Sequence, residues 1–142
     1  MYSGQIDPNA TVLRLYWLGT IVLACAAAVV LYYSLPWGIG VSPDSISYLK
    51  AASRLTEDFQ LKHLPSHWPP GYPLYLAIMM SAIPGMTTAA LFGQVTLFFF
   101  NTILVSWVVL YCLQDDGTRR YWAALIAAAV FACNPTVLLM HQ

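Results

Sequence analysis

The sequence predicts an all-α membrane protein with three transmembrane helices and an external juxtamembrane helical loop between the first and the second. Three observations carry this. Only 8% of the 142 residues are charged, against roughly 25% in soluble domains. Mean hydropathy is +0.64, with 59% of residues hydrophobic. Long uncharged apolar runs recur three times, each near the roughly 20 residues that cross a hydrocarbon core of about 30 Å. Formal net charge is zero, so no basic field points to nucleic acid. Cys25, Cys112 and Cys133 all sit inside apolar runs. Their odd number and lack of metal-ligand spacing read as small buried or lipid-facing residues.

The first span is expected over 15–35, with Tyr16 and Trp17 at one headgroup edge and Tyr32, Tyr33 and Trp37 at the other. One positive charge, Arg14, precedes it and no small-x-small site follows, which disfavours a cleaved signal peptide. The segment from Trp37 to Trp68 is polar and holds half of the charged residues. An amphipathic helix is expected over 43–59. Ser42 is placed to cap it, Pro43 suits the first helical position, and Asp44 suits the positive helix end. Tyr48, Ala52, Leu55 and Phe59 make one apolar stripe, while Ser47, Lys50, Arg54, Glu57 and Asp58 fall opposite. Asp44 is four residues before Tyr48 and shares its face, so it is expected to border the buried stripe.

A short interfacial helix is expected over 72–84, too short to cross. The second span is expected over 89–113. Its polar residues Gln94, Asn101, Thr102 and Ser106 are expected to face other helices and hydrogen-bond there. Residues 114–120, "QDDGTRR" without its continuation, form a tight polar turn around Gly117. The third span is expected over 121–140, kinked or ended by Asn134-Pro135.

Orientation follows from parity. Arg14 and the pair Arg119–Arg120 flank short segments on one side of two crossings, and such residues prefer the cytoplasm. The N-terminus is therefore cytoplasmic and the 37–84 region external. Lys50, Arg54 and Lys62 oppose this three against three, and the shortness of the loops decides.

The order of features is informative. "PDSISYLKAASRL", then "WPPGYPLYLAIMM", then a span, "RR", and another span ending near "NP" resembles the N-terminal part of the multi-spanning C-type glycosyltransferases that use polyprenyl-phosphate sugars. These include protein O-mannosyltransferases and lipid A aminoarabinose transferases. The resemblance covers about residues 12–142. It implies a bacterial inner-membrane enzyme, of which this chain is the N-terminal piece, inactive alone and completed by further spans or partner subunits. It implies sugar transfer from a polyprenyl-phosphate donor in the membrane lipid to an acceptor on the external face.

In that family an external aspartate, with a tyrosine four residues on, precedes a Pro-Pro segment. Asp44, Tyr48 and Pro69-Pro70 fall on those positions. The resemblance makes Asp44 the catalytic base and Tyr48 a substrate-binding residue. Lys50, Arg54, Lys62, His63 and His67 are the nearby groups able to meet a phosphate; Lys50 and Arg54 fall on the solvated face, which leaves Lys62, His63 and His67, with Trp68 placed to meet the sugar. In some members a divalent metal is held there instead, but no metal ligand set is assigned in this chain. His63 and His67 are four apart, yet Pro65 between them argues against a helical metal pair. In the aminoarabinose branch an acidic residue follows the aspartate and a basic one precedes Pro-Pro; Ser45 and Trp68 stand there instead.

Alternatives remain at this stage. Asp44 read by itself is a helix cap. Trp68 either stacks on a sugar or sits in the interfacial belt. The whole chain also reads as a non-catalytic small membrane subunit whose external helix docks a partner. A transporter piece ranks last, because no ionisable residue interrupts the three apolar runs.

Overall fold

The computed structural model describes residues 8–34, 43–60, 62, 64, 69–113 and 117–134. Within them the fold is all-helical: α1 (Pro8–Ser34), α2 (Pro43–Glu57), α3 (Gly71–Ala82), α4 (Met86–Cys112) and α5 (Arg119–Ala132), with no strand. Two helices, over Ala10–Ser34 and Met86–Cys112, are long and apolar enough to cross a membrane. Only 28% and 17% of their most apolar stretches are buried, whereas the core helix of a soluble protein is mostly buried.

The helix ends follow local chemistry. The first helix starts at Pro8, seven residues before the expected span. Hydropathy reports only the apolar run, while a helix propagates through polar residues, and proline suits its first turn. The second stops at Glu57, not at residue 59: Glu57 and Asp58 put two acids where the helix dipole favours cations. Asp58 N–H still donates to Arg54 O at 2.9 Å and Gln60 N–H to Asp58 O at 2.7 Å, closing a turn. The third ends before Pro84. Ile83 is extended, with φ −123° and ψ 119°, as the residue before a proline prefers. Gly85 then takes φ 94°, a conformation that disfavours any side chain. Its carbonyl accepts from Ala89 N–H at 2.9 Å, opening α4. The fifth helix runs 14 residues, about 21 Å at 1.5 Å per residue, and residues 135–142 lie outside the described residues. The third span is therefore not established by the described helix.

The chain divides into two compact units. One comprises Met1–Leu31 with Phe98–Met140; the other comprises Tyr32–Leu97 with His141–Gln142. In the first, α1 and α4 meet through hydroxyls. Tyr16 Oη and Ser106 Oγ are 2.9 Å apart, and Thr20 Oγ1 and Ser106 Oγ 3.3 Å. All three residues are buried. The Tyr16 ring lies in the helix contact, 5.4 Å from the Tyr121 ring, where Ser106 satisfies its hydroxyl, and Trp17 beside it is half-buried. Trp37, its counterpart in the other belt, lies outside the described residues. Phe98 stacks on Phe131 at 5.7 Å. Ala124, Ala128 and Ala132 of α5 are buried while Trp122, Ile126 and Val130 are exposed, a small-residue face of the kind that lets helices approach closely.

The polar residues of α4 divide by helix face. Phe98, Thr102 and Ser106, four apart, form a buried stripe. Asn101 lies about 100° round from Thr102 and is exposed, contrary to expectation. Thr102 Oγ1 donates to Phe98 O of its own helix at 2.9 Å and not to a neighbour. Cys25, Cys112 and Cys133 are free and exposed.

In the second unit, α2 packs on α3. The core cluster contains Leu49, Ala52, Leu55, Leu76, Ala77 and Ala90, with Tyr48, Leu64, Tyr72, Leu74 and Met80 against it. Each fully buried leucine contributes about 1.5–3 kcal/mol relative to exposure in water. The apolar stripe of α2 is shifted from the one the spacing predicts. Leu49 and Ala51 join it, and Phe59, beyond the helix end, is 72% exposed. The opposite face is as expected: Ser47, Lys50, Arg54, Glu57 and Asp58 are exposed.

Candidate functional site

The candidate site is built on the first two turns of α2 and their contact with α3. Asp44 occupies the first turn of α2, where the N-terminal dipole favours a carboxylate. Its side chain is exposed, so it does not border the buried stripe as its spacing suggests. The buried part of the stripe runs from Leu49 to Leu55 with Tyr48 half-buried at its start, and Asp44 sits about 6 Å before Tyr48 along the axis. Ser47 Oγ donates to Pro43 O at 3.1 Å, tying down the same turn.

Tyr48 is half-buried. Its ring meets Tyr72 of α3 edge-on, with centroids 5.3 Å apart and planes at 89°, the geometry that aligns a ring's positive edge with its partner's negative face. Burial pushes the Tyr72 hydroxyl above the usual tyrosine pKa; the adjacent Gln94 side chain opposes this and the nearby Tyr48 adds to it. Gln94 Oε1 is buried without a hydrogen-bond partner. One turn along α3, Tyr75 Oη donates to Gly93 O at 2.8 Å. Burial raises its pKa too, against an opposing contribution from Thr96 and a smaller reinforcing one from Tyr72.

Gly93 allows this contact. A Cβ there would stand 3.2 Å from Tyr75 Cε1 and 3.5 Å from Met79 Cγ, so the α3 side chains occupy the space a larger residue needs. The result is a short series of polar and aromatic groups, Tyr48, Tyr72, Gln94 and Tyr75, next to an exposed carboxylate on the same helix as the first of them.

Of the residues singled out from the sequence, the structure brings Tyr48 into an aromatic pair and puts Asp44 one turn before it. Lys62 is exposed on the segment between α2 and α3, and Pro69 and Pro70 are exposed at the head of α3. Ser42, His63, His67 and Trp68 lie outside the described residues. Tyr72 and Tyr75 are additions. The sequence carried a signal for them in "GYPLY", two tyrosines three apart on a helix, which share a face. Gln94 was legible only as a polar residue in an apolar run. Among the described residues no three His, Cys, Asp or Glu side chains come together as a metal site.

An exposed carboxylate at a helix start, one turn before an edge-on tyrosine pair, can accept a proton from a hydroxyl presented to it. The faces and edges of the rings can meet a sugar's C–H groups. A comparison with family models, curated protein sequences and solved structures finds no match to the chain in any of the three.

Proposed function

We propose that the chain is the N-terminal part of a membrane glycosyltransferase that uses a polyprenyl-phosphate sugar, with Asp44 as its general base. The observation that carries this reading is the placement of Asp44: exposed on the first turn of α2, one turn before a tyrosine whose ring meets Tyr72 edge-on, on the helix that follows Pro69-Pro70. The order of the motifs in the sequence, which resembles that family, supports the same reading.

On this reading α1 and α4 cross the membrane, a third crossing follows residue 120, and α2 and α3 lie on the external face. The N-terminus and residues 114–120 are cytoplasmic. The acceptor's hydroxyl or amine loses its proton to the Asp44 carboxylate as its oxygen or nitrogen attacks the anomeric carbon. The bond from that carbon to the phosphate oxygen breaks, and polyprenyl phosphate leaves. Tyr48 orients the carboxylate or contacts the sugar. Lys62, His63, His67 and Trp68 belong to the segment that meets phosphate and sugar.

The test is Asp44→Asn in the full-length protein, assayed in membranes for sugar transfer from a polyprenyl-phosphate donor. The expected outcome is a loss of about 10²–10⁴-fold, the contribution of a positioned base, with unchanged membrane content. Undiminished transfer removes Asp44 from the chemistry and leaves the partner-docking reading of α2.

A further inference from the structure

The unit formed by α1, the C-terminal half of α4 and α5 carries an open cavity of about 470 Å³ on its surface. This is within the range of small-molecule sites, about 300–1,000 Å³. Leu13, Leu110 and Leu113 give it an aliphatic wall. Trp107 and Tyr111 give it an aromatic one; their rings stack at 5.8 Å with planes 24° apart, and both are exposed, at 47% and 77%. Its polar end is Arg120 with Tyr121.

Arg120 is held in place by its neighbour. An Nη2 N–H donates to Tyr121 Oη at 3.0 Å, and Cζ lies 4.9 Å from the Tyr121 ring centroid. Its Nε is buried without a hydrogen-bond partner. A guanidinium presents its N–H groups in a rigid planar fork that matches the oxygens of a phosphate. Here one arm and one face are occupied, the rest of the fork is oriented, and a buried cationic donor is left unpaired.

The walls narrow the choice of anion. A hydrated inorganic ion has no use for five large apolar and aromatic side chains. An amphiphile with a phosphate at one end and hydrocarbon at the other matches both parts. The cavity also lies at the end of α4, a helix long and apolar enough to cross a membrane, where Trp and Tyr prefer headgroup depth and basic pockets between helices take lipid headgroups.

We propose that this cavity is a phospholipid site, with the headgroup phosphate of an anionic glycerophospholipid on Arg120 and acyl chain along Leu13, Trp107 and Leu113. The proposal does not depend on Asp44 or on sugar transfer. Net charge does not explain it, because Asp115 and Asp116 balance Arg119 and Arg120 within six residues of sequence. That balance sharpens the test: Arg119 is exposed and lines no part of the cavity, while Arg120 does. The two substitutions remove the same charge.

The experiment is native mass spectrometry of the full-length protein in detergent, titrated with phosphatidylglycerol, with diacylglycerol of the same chains, and with glycerol 3-phosphate as competitor. Circular dichroism checks that each variant is folded. Phosphatidylglycerol should bind at least about tenfold tighter than diacylglycerol, the scale of a hydrogen bond to a charged group. Arg120→Gln should abolish that preference, Arg119→Gln should leave it, and Trp107→Ala should weaken retention of both lipids. Equal binding of the two lipids by the wild type overturns the proposal, as does an equal loss from Arg119→Gln and Arg120→Gln. Displacement by millimolar glycerol 3-phosphate also overturns it, since the occupant is then a soluble phosphate.

Discussion

Ser106 shows how much one small residue can hold. Its hydroxyl lies within hydrogen-bond reach of two others, Tyr16 and Thr20, which come from a different helix and a distant part of the chain. Hydrogen bonds of this kind between apolar helices are worth about 0.6 kcal/mol on average and up to about 1.7. Ser106→Ala and Tyr16→Phe should each lower stability by that order. Together they should cost less than their sum, because either one removes the shared bond. Unfolding in detergent, run as a double-mutant cycle, reads the coupling; strict additivity would mean the 2.9 Å contact contributes nothing. From the sequence, Ser106 was legible as a helix-facing polar residue and Tyr16 as an interfacial aromatic. The contact bears out the first; that the Tyr16 hydroxyl would meet Ser106 was not legible, since an apolar ring with a polar tip suits a helix contact and a membrane edge equally.

At the scale of elements, α2 and α3 hold one another through a small apolar cluster. Leu76 is almost wholly buried in it, so Leu76→Ala should cost about 2–5 kcal/mol. Proteolysis of the segment between the two helices should become faster, because their contact is what brings its ends together. An unchanged cleavage rate would show that the segment is held by something else. The tyrosines give the same contact a pH signature. Burial raises the Tyr72 pKa above its ordinary value of about 10. The folded protein therefore keeps this proton longer than the unfolded chain does. Stability from this group is complete below about pH 10 and falls as pH rises through the raised folded value. Tyr75 is raised in the same way, so absorbance titration at alkaline pH should show late-titrating tyrosines of which Tyr72→Phe removes one, and the variant should lose less stability between pH 10 and 11 than the wild type. The existence of α2 followed from periodicity and from Pro43 at its first position, and that of α3 from a short apolar run. Their contact did not, because a stripe on a helix says which face is apolar and not which neighbour covers it. Even the stripe was displaced: Phe59 fits the spacing, but the helix ends before reaching it.

For the molecule as a whole, the exposed apolar side chains of α1 and α4 need a non-aqueous surrounding. Leu15, Leu18, Val22, Val29 and Val30 of α1 are all more than half exposed. Each would be costly to leave in water. Cysteine chemistry tests the membrane reading directly. Cys25 is free and exposed near the middle of α1, so in membranes it should resist a water-soluble maleimide and react once the protein is denatured. Asp44→Cys, in a background without other cysteines, should be labelled by the same impermeant reagent from outside intact cells, and Gly117→Cys only after lysis. Labelling of Cys25 in intact membranes, or of position 44 only after lysis, contradicts the proposed topology.

What the sequence determined by itself is the inventory of helices and their apolar character. Hydropathy, periodicity and the stop signals of proline and glycine are local properties, written within a few residues of where they act. What only the tertiary structure decided is which side chains meet. The Tyr16–Ser106–Thr20 hydroxyls, the Tyr48–Tyr72 pair, the Tyr75–Gly93 bond and the Arg120 cavity all join residues chosen by how one helix surface lies on another. That choice depends on shape and on the satisfaction of buried polar groups, neither of which leaves a period in the sequence.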